Sequence, residues 1–372
     1  MTGAMYAAIS GLKAHMQKLN VIGNNIANVN TYGYKAARTT FSESLYTTLT
    51  SGSNGTASAG GVNPSQLGYG CRIGTIDLNM ATGNYTPTGN ALDCMINGTG
   101  FFLVGSKPDT TGTDGENLTE TKAQNLLLTR VGDFKFDSQG YLTDGNGNVV
   151  YGFVTGSVAE DGSVSADAGV GDYENPSVST QLVPIRLPLA AKLSTDADAP
   201  AAGTAIFPGV NDEGMNVYDT GTLTDGSTTI SVDSVSIDAS TGKITAVNQA
   251  DNSIIVVGYI PVANVTNPAG VSHVDGPYYR AGEGAGTCSV AALGDALNGK
   301  YLNNADPTAD ADAVQIFGAG STALITSGLE SSGTDLATEI SEMITTQRGY
   351  QANTRIITVT DSMLEELVNM KR

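Results

Sequence analysis

The sequence predicts an α+β protein of several domains, in which coiled-coil-like helices from the two ends of the chain pair and all-β domains are inserted between them. Three observations carry this. Apolar residues recur in heptad steps at both ends, the long middle alternates apolar and polar residues between Gly-rich turns, and a stretch of Ser, Thr, Gly and Asn separates the first seam from the first strands. At 372 residues and 40% apolar composition, with a mean hydropathy of −0.06, the chain can fill two to three soluble globular domains.

The first helix is read from Met5, Ile9, Leu12, Met16, Leu19, Gly23 and Ile26, which alternate steps of four and three with one Gly interruption. No proline occurs before Pro64. At the other end Leu336, Ile340, Met343, Gln347, Tyr350, Thr354, Ile357, Asp361, Leu364 and Val368 keep the same alternation, and a second stripe of Ile344, Ile356, Val359, Met363, Leu367 and Met370 widens the apolar face. Ser332 and Asp335, followed by Glu339 and Glu342, have a capping-box pattern that predicts a helix start near Thr334. Two apolar-faced helices at opposite ends, with no third helical segment beside either, leave apolar surface that other copies of the chain would cover.

Between the helices, residues 1–41 and 332–372 being set aside as the polymerisation domain, 42–71 reads as an extended connector. A discontinuous β-domain is expected over 72–154 and 230–331. Its signals are the Gly-interrupted run MINGTGFFLV (95–104), the hairpin turn over Asp144–Asn148, and two matched turns, D-x-x-G in FKFDSQGYL and D-x-x-x-G in SVSIDASTGKITAV. Residues 155–229 hold eleven acids against Arg186 and Lys192, with Tyr173, Phe207 and Tyr218 as the only aromatics, and read as an outward-facing acidic all-β insertion.

The formal charge of −19 argues against a nucleic-acid partner and against an anionic membrane surface. It is unevenly placed: residues 1–42 hold four cations and no acid, and 330–372 hold seven acids and four cations, so the middle carries −20. No run of about 18 apolar residues exists, so no membrane insertion is expected. The early apolar residues are spaced by Ser10, Lys13, His15, Gln17 and Lys18, unlike a cleavable signal, and by composition alone the chain reads as cytoplasmic.

The sequence holds little chemistry. Cys71, Cys94 and Cys288 are odd in number and widely spaced, which suggests apolar fillers rather than a disulfide framework or a zinc site. His15 and His273 have no motif around them. DGNGN at 144–148 opens like a calcium loop, but Val149 and Thr155 stand where Gly and Glu are needed, so it reads as a turn. Gly282, Gly284 and Gly286 lack the helix opening and Lys-Ser/Thr of a phosphate loop. No catalytic residue, metal or cofactor is expected.

The segment LNVIGNNIANVNTYGYK (Leu19–Lys35) resembles the N-terminal signature of bacterial flagellar rod and hook proteins, matching it at Leu19, Val21, Asn24, Asn25, Ala27, Asn28, Asn30, Thr31, Gly33, Tyr34 and Lys35. NALDCMINGTGFFLV (90–104) is similar to the family's second block. VANVTNPAGVSHVDGPYY (262–279) is similar to its third, with Val265 and Val271 departing from the usual Phe and Leu, and 329–372 resembles its C-terminal block. The start of the last helix, the acidic insertion and the chain length favour the hook branch over the rod branch.

The resemblance implies a tubular helical homopolymer walled by the paired terminal helices, acting as a torsionally stiff universal joint. Export through the flagellar type III apparatus without a cleaved signal would replace the cytoplasmic reading. Rod, hook-cap and hook–filament junction proteins are the implied end partners. The polymerisation interface is then expected at Met5, Ile9, Leu12, Met16, Leu19, Ile22, Asn24, Asn25, Ile26, Asn28 and Asn30, and at Leu336, Ile340, Met343, Gln347, Tyr350, Ile357, Leu364 and Val368.

Overall fold

In a computed structural model the chain has long helices at both ends and a mostly β middle, an α+β protein. The described residues are 2–55, 60–107, 126–156, 177–178, 182–190, 202–203, 205–207, 209–210, 216–217, 229–293, 316–318 and 322–370. They divide into two units, residues 1–79 with 332–372, and residues 80–331.

The first unit is built from α1 (Thr2–Ala27), β1 (Ala37–Glu43), β2 (Tyr46–Thr50), β3 (Ser65–Gly68), β4 (Cys71–Leu78) and α2 (Leu336–Met370). At 1.5 Å per residue the helices are about 39 and 52 Å long. α2 starts two residues later than the expected Thr334. Asp335 is its cap, accepting from Ala337 N at 3.1 Å and Thr338 Oγ1 at 2.6 Å, whereas Ser332 Oγ is engaged within the preceding turn by Thr334 N. The capping box therefore gives way to a plain Asp cap.

Residues 42–71, expected as an extended connector, hold β2 paired antiparallel with β3. β1 pairs with β4, so residues 72–78 fold with the terminal helices. In that ladder Thr39 faces Ile76 and Phe41 faces Ile73, leaving Gly74 and Thr75 opposite Thr40. Such a β-bulge turns two residues three apart toward one side of the strand.

In the second unit one sheet path runs through strands at 232–237, 243–248, 254–259, 149–156, 102–105, 127–129, 278–280 and 272–273. Its turns follow one device. Asp137 Oδ1 accepts Gln139 N and Tyr141 N at 2.9 and 2.7 Å, Asp144 Oδ1 accepts Asn146 N and Asn148 N, and Asp238 Oδ1 accepts Ser240 N. In each turn an Asx side chain takes the place of a backbone acceptor.

The core under the sheet includes Ile96, Phe102, Phe134, Val150, Ile244 and Val257, with Phe102 and Phe134 edge to face at 5.1 Å. Val183, Ile185 and Leu187, inside the acidic 155–229 segment, are in that same core, and Gly152 and Tyr151 pair with Val183 and Pro184. Most of 155–229, and 294–315, lie outside the described residues.

Candidate assembly interface

The exit from α1 is where the sequence motif does its structural work. Asn25, 1% exposed, uses every polar atom of its side chain. Its Nδ2 donates to Ala37 O and to Glu339 Oε1, both at 2.9 Å, and its Oδ1 accepts from Ala37 N and Tyr34 OH, both at 3.0 Å. Asn24 Nδ2 donates to Tyr34 OH, and Asn28 Nδ2 turns back to Asn24 O while its Oδ1 accepts from Thr31 Oγ1. Gly33 has φ 67°, which favours a residue without Cβ. The Asn-rich motif thus folds the chain back from α1 into β1 and fastens both to the start of α2.

α1 and α2 are antiparallel. Asn25 meets Glu339, Lys18 Nζ bonds Glu342 Oε2 at 2.9 Å, and Gly349 and Gly11 sit against His15 and Asn353. A Cβ on Gly349 would lie 2.9 Å from the His15 ring, and one on Gly11 2.8 Å from Asn353 Nδ2. Glycine on each helix is therefore what lets the backbones approach this closely. Thr346 and Thr360 are the buried residues of α2.

The line of contact is not the expected seam. On α1 it passes through Gly11, His15, Lys18 and Asn25, each one residue before a member of the heptad stripe, or about 100° around the helix. Met5, Ile9, Leu12, Leu19 and Ile26 are half-buried, and Met16, Gly23, Asn24 and Asn30 are exposed. On α2, Met343, Tyr350 and Ile357 are half-buried, and Leu336, Ile340, Gln347, Leu364 and Val368 are exposed. Small and polar residues hold the pair together because heptad-spaced apolar side chains would hold the backbones further apart.

The second stripe is also open. Ile344, Ile356, Val359, Met363, Leu367 and Met370 are all exposed, the last at 76%. Added to Leu336, Ile340, Leu364 and Val368, they make α2 a helix whose apolar side chains mostly face solvent. Left open, each forgoes the roughly 1.5–3 kcal/mol that full burial is worth.

The electrostatics along the contact are set by burial. Burial, with Lys18 beside it, holds His15 below the ordinary imidazole range, and burial raises Glu339 above the ordinary carboxylate range. In the second unit Asp144 takes Tyr278 OH as a donor, and the phenol, pushed up by burial and this carboxylate to about 12, stays protonated. The DGNGN loop is thereby a hydrogen-bonded turn. Cys94 is buried and its thiol is pushed up by desolvation, while Cys71 and Cys288 are half-buried. Among the described residues no cluster of His, Cys, Asp or Glu is arranged to hold a metal ion, and no helix is long and apolar enough to cross a membrane.

Paired terminal helices with an open apolar face, in a chain with a β-rich middle, define an α+β protein that presents a contact surface for another protein. The profile described as "Flagellar basal body rod FlgEFG protein C-terminal" matches residues 326–370, and "Flagella basal body rod protein" matches residues 5–35. The chain is 30% identical to the flagellar basal-body rod protein FlgG of Bacillus subtilis over 100% of both chains. It is 26% identical to the flagellar hook protein FlgE of Borreliella burgdorferi, again over 100% of both. It is 38% identical to the hook protein FlgE of Caulobacter vibrioides over 43% of this chain and 23% of that one. The chain belongs to the flagellar basal-body rod and hook family, a family of structural components of the flagellum.

Proposed function

We propose that the chain is the non-enzymatic subunit of the flagellar hook, which polymerises into a tube and passes motor torque from rod to filament as a flexible universal joint. The observation that supports assembly is the uncovered apolar face of α2. Exposed surface of that kind on a water-borne chain marks a protein contact, and a head-to-tail contact that does not close generates a helical filament. The interface residues expected at the two ends, Met5 to Asn30 and Leu336 to Val368, are proposed to make those contacts.

The hook within the family is supported by the eleven acids of 155–229, proposed to face outward while Val183, Ile185 and Leu187 stay in the core. Like charge on an outer layer keeps sliding neighbours from adhering. Rod, hook-cap and junction proteins are the proposed end partners, reached by flagellar export without a cleaved signal.

A distal-rod reading is favoured by one observation. The alignment with the Bacillus subtilis rod protein runs over 373 residues, while that with the Borreliella burgdorferi hook protein runs over 468. Electron microscopy of basal bodies from a strain lacking the gene separates the two: a complete rod without a hook supports the hook, and a truncated rod refutes it.

A further inference from the structure

Beside α1 lies a groove of about 500 Å³ lined by Gln17, Asn20, Val21, Arg72, Ile73 and Ile76. The β-bulge at Thr40 gives β4 both isoleucines on this wall, and Ile76 is exposed. Arg72 uses Nε on Ser42 Oγ and is in no ion pair among the described residues. The groove thus offers Val21, Ile73 and Ile76 as its apolar wall, the amides of Gln17 and Asn20, and one unneutralised cation, Arg72.

A matching segment is found at the end of α2. The register set by Gly11 with Asn353 and Asn25 with Glu339 puts Thr2 opposite Ser362, so residues from 364 onward have no described α1 residue across from them. Residues 361–370 are all exposed. At 100° per residue, Met363, Leu364, Leu367, Val368 and Met370 cover an arc of about 160°, bordered on one side by Glu366 and on the other by Asp361 and Glu365. None of these acids is in an ion pair among the described residues.

We propose that the groove beside α1 receives residues 361–370 of α2 from a second copy of the chain, with Arg72 against the Asp361 and Glu365 border and Ile73 and Ile76 under Leu367. The chain's own segment cannot reach. It lies beside the first residues of α1, about 15 residues or 22 Å along the helix from Gln17. Because groove and segment are different surfaces, each copy keeps one of each free, and the contact is head-to-tail, the kind that builds a filament when its rotation does not close. This proposal rests on the assembly reading above and names the residues that would cover part of the open face of α2.

The test co-expresses Ile76→Cys and Leu367→Cys chains in the native bacterium, with Cys71 and Cys288 changed to Ser, and oxidises the isolated axial structures. Disulfide-linked dimers containing one chain of each kind, absent when either variant is expressed alone, are expected. Separately, Arg72→Glu should lower the amount of polymer about tenfold, and adding Asp361→Arg and Glu365→Arg should restore most of it. Polymer that forms without the mixed dimer, or an Arg72→Glu chain that assembles like the unsubstituted one, overturns the proposal and leaves the assembly reading intact. No axial structure from the unsubstituted chain overturns both.

Discussion

Asn25 Nδ2 donates to Glu339 Oε1 at 2.9 Å, joining residues 314 apart in the sequence. With its three other bonds, to Ala37 and Tyr34, this side chain holds the α1 exit, β1 and the start of α2 in one arrangement. Asn25→Ala should therefore destabilise the helix pair by about 2–3 kcal/mol, because buried partners lose their hydrogen bonds. Asn25→Asp should cost more, setting a second carboxylate beside one that burial already disfavours. Thermal loss of helical circular dichroism measures both, and equal midpoints for Asn25→Ala and the unsubstituted chain would count against the clamp.

The close approach at Gly349 gives a coupled pair. Gly349→Ala should improve helix propensity, worth about 1 kcal/mol alone, yet its Cβ meets the His15 ring at 2.9 Å. The substitution is expected to destabilise by about 1–2 kcal/mol from overpacking, and in a His15→Ala background to stabilise instead. A double-mutant cycle in urea reads the change of sign, and additive effects would refute the contact.

The folded-state pKa of His15 is lowered, by burial first and Lys18 second. The groups facing it are Lys18 on its own helix, Phe41 on β1 and Gly349 on α2, with Glu342 bound to Lys18. A base whose pKa falls on folding takes up its proton more readily when unfolded, so pairing weakens as pH drops through 6.5 and levels off below the folded value. Helicity should fall between pH 7 and 5.5 in the unsubstituted chain and less in His15→Gln. Identical profiles would sink this assignment.

In the second unit Arg130, 2% exposed, donates to Ile96 O and Gly98 O at 3.3 and 2.9 Å and lies 3.6 Å from Glu330 Oε2. Glu330 Oε1 in turn accepts Gly83 N at 2.6 Å. Arg130→Met leaves a buried carboxylate without its countercharge and should cost about 3–5 kcal/mol. Adding Glu330→Leu should recover part of it. Urea midpoints of the two variants decide, and a single variant as stable as the parent would show the pair to be dispensable.

Both helices and their pairing, though not its antiparallel direction, were legible in the heptad steps, and the turns at Asp137, Asp144 and Asp238 in their Asx-Gly spacing. The line of contact was not, because it is governed by Gly11 and Gly349, which carry no apolar signal, and by polar pairs such as Lys18 with Glu342. The strands at 46–50 and 65–68 were hidden for a related reason. β2 and β3 are exposed throughout, so the alternation that marks a half-buried strand is missing. The Asn motif was recognisable as text, but that Asn25 reaches Glu339 is a fact of tertiary structure.

In the proposed polymer, copies of the chain meet on the open apolar face of α2. Hydrogen exchange of residues 356–370, compared between dilute monomer and assembled polymer, tests it most directly. Amide protection should rise by at least about tenfold on assembly, as solvent-exposed helical turns become packed; exchange at the same rate in monomer and polymer would show that this face stays open.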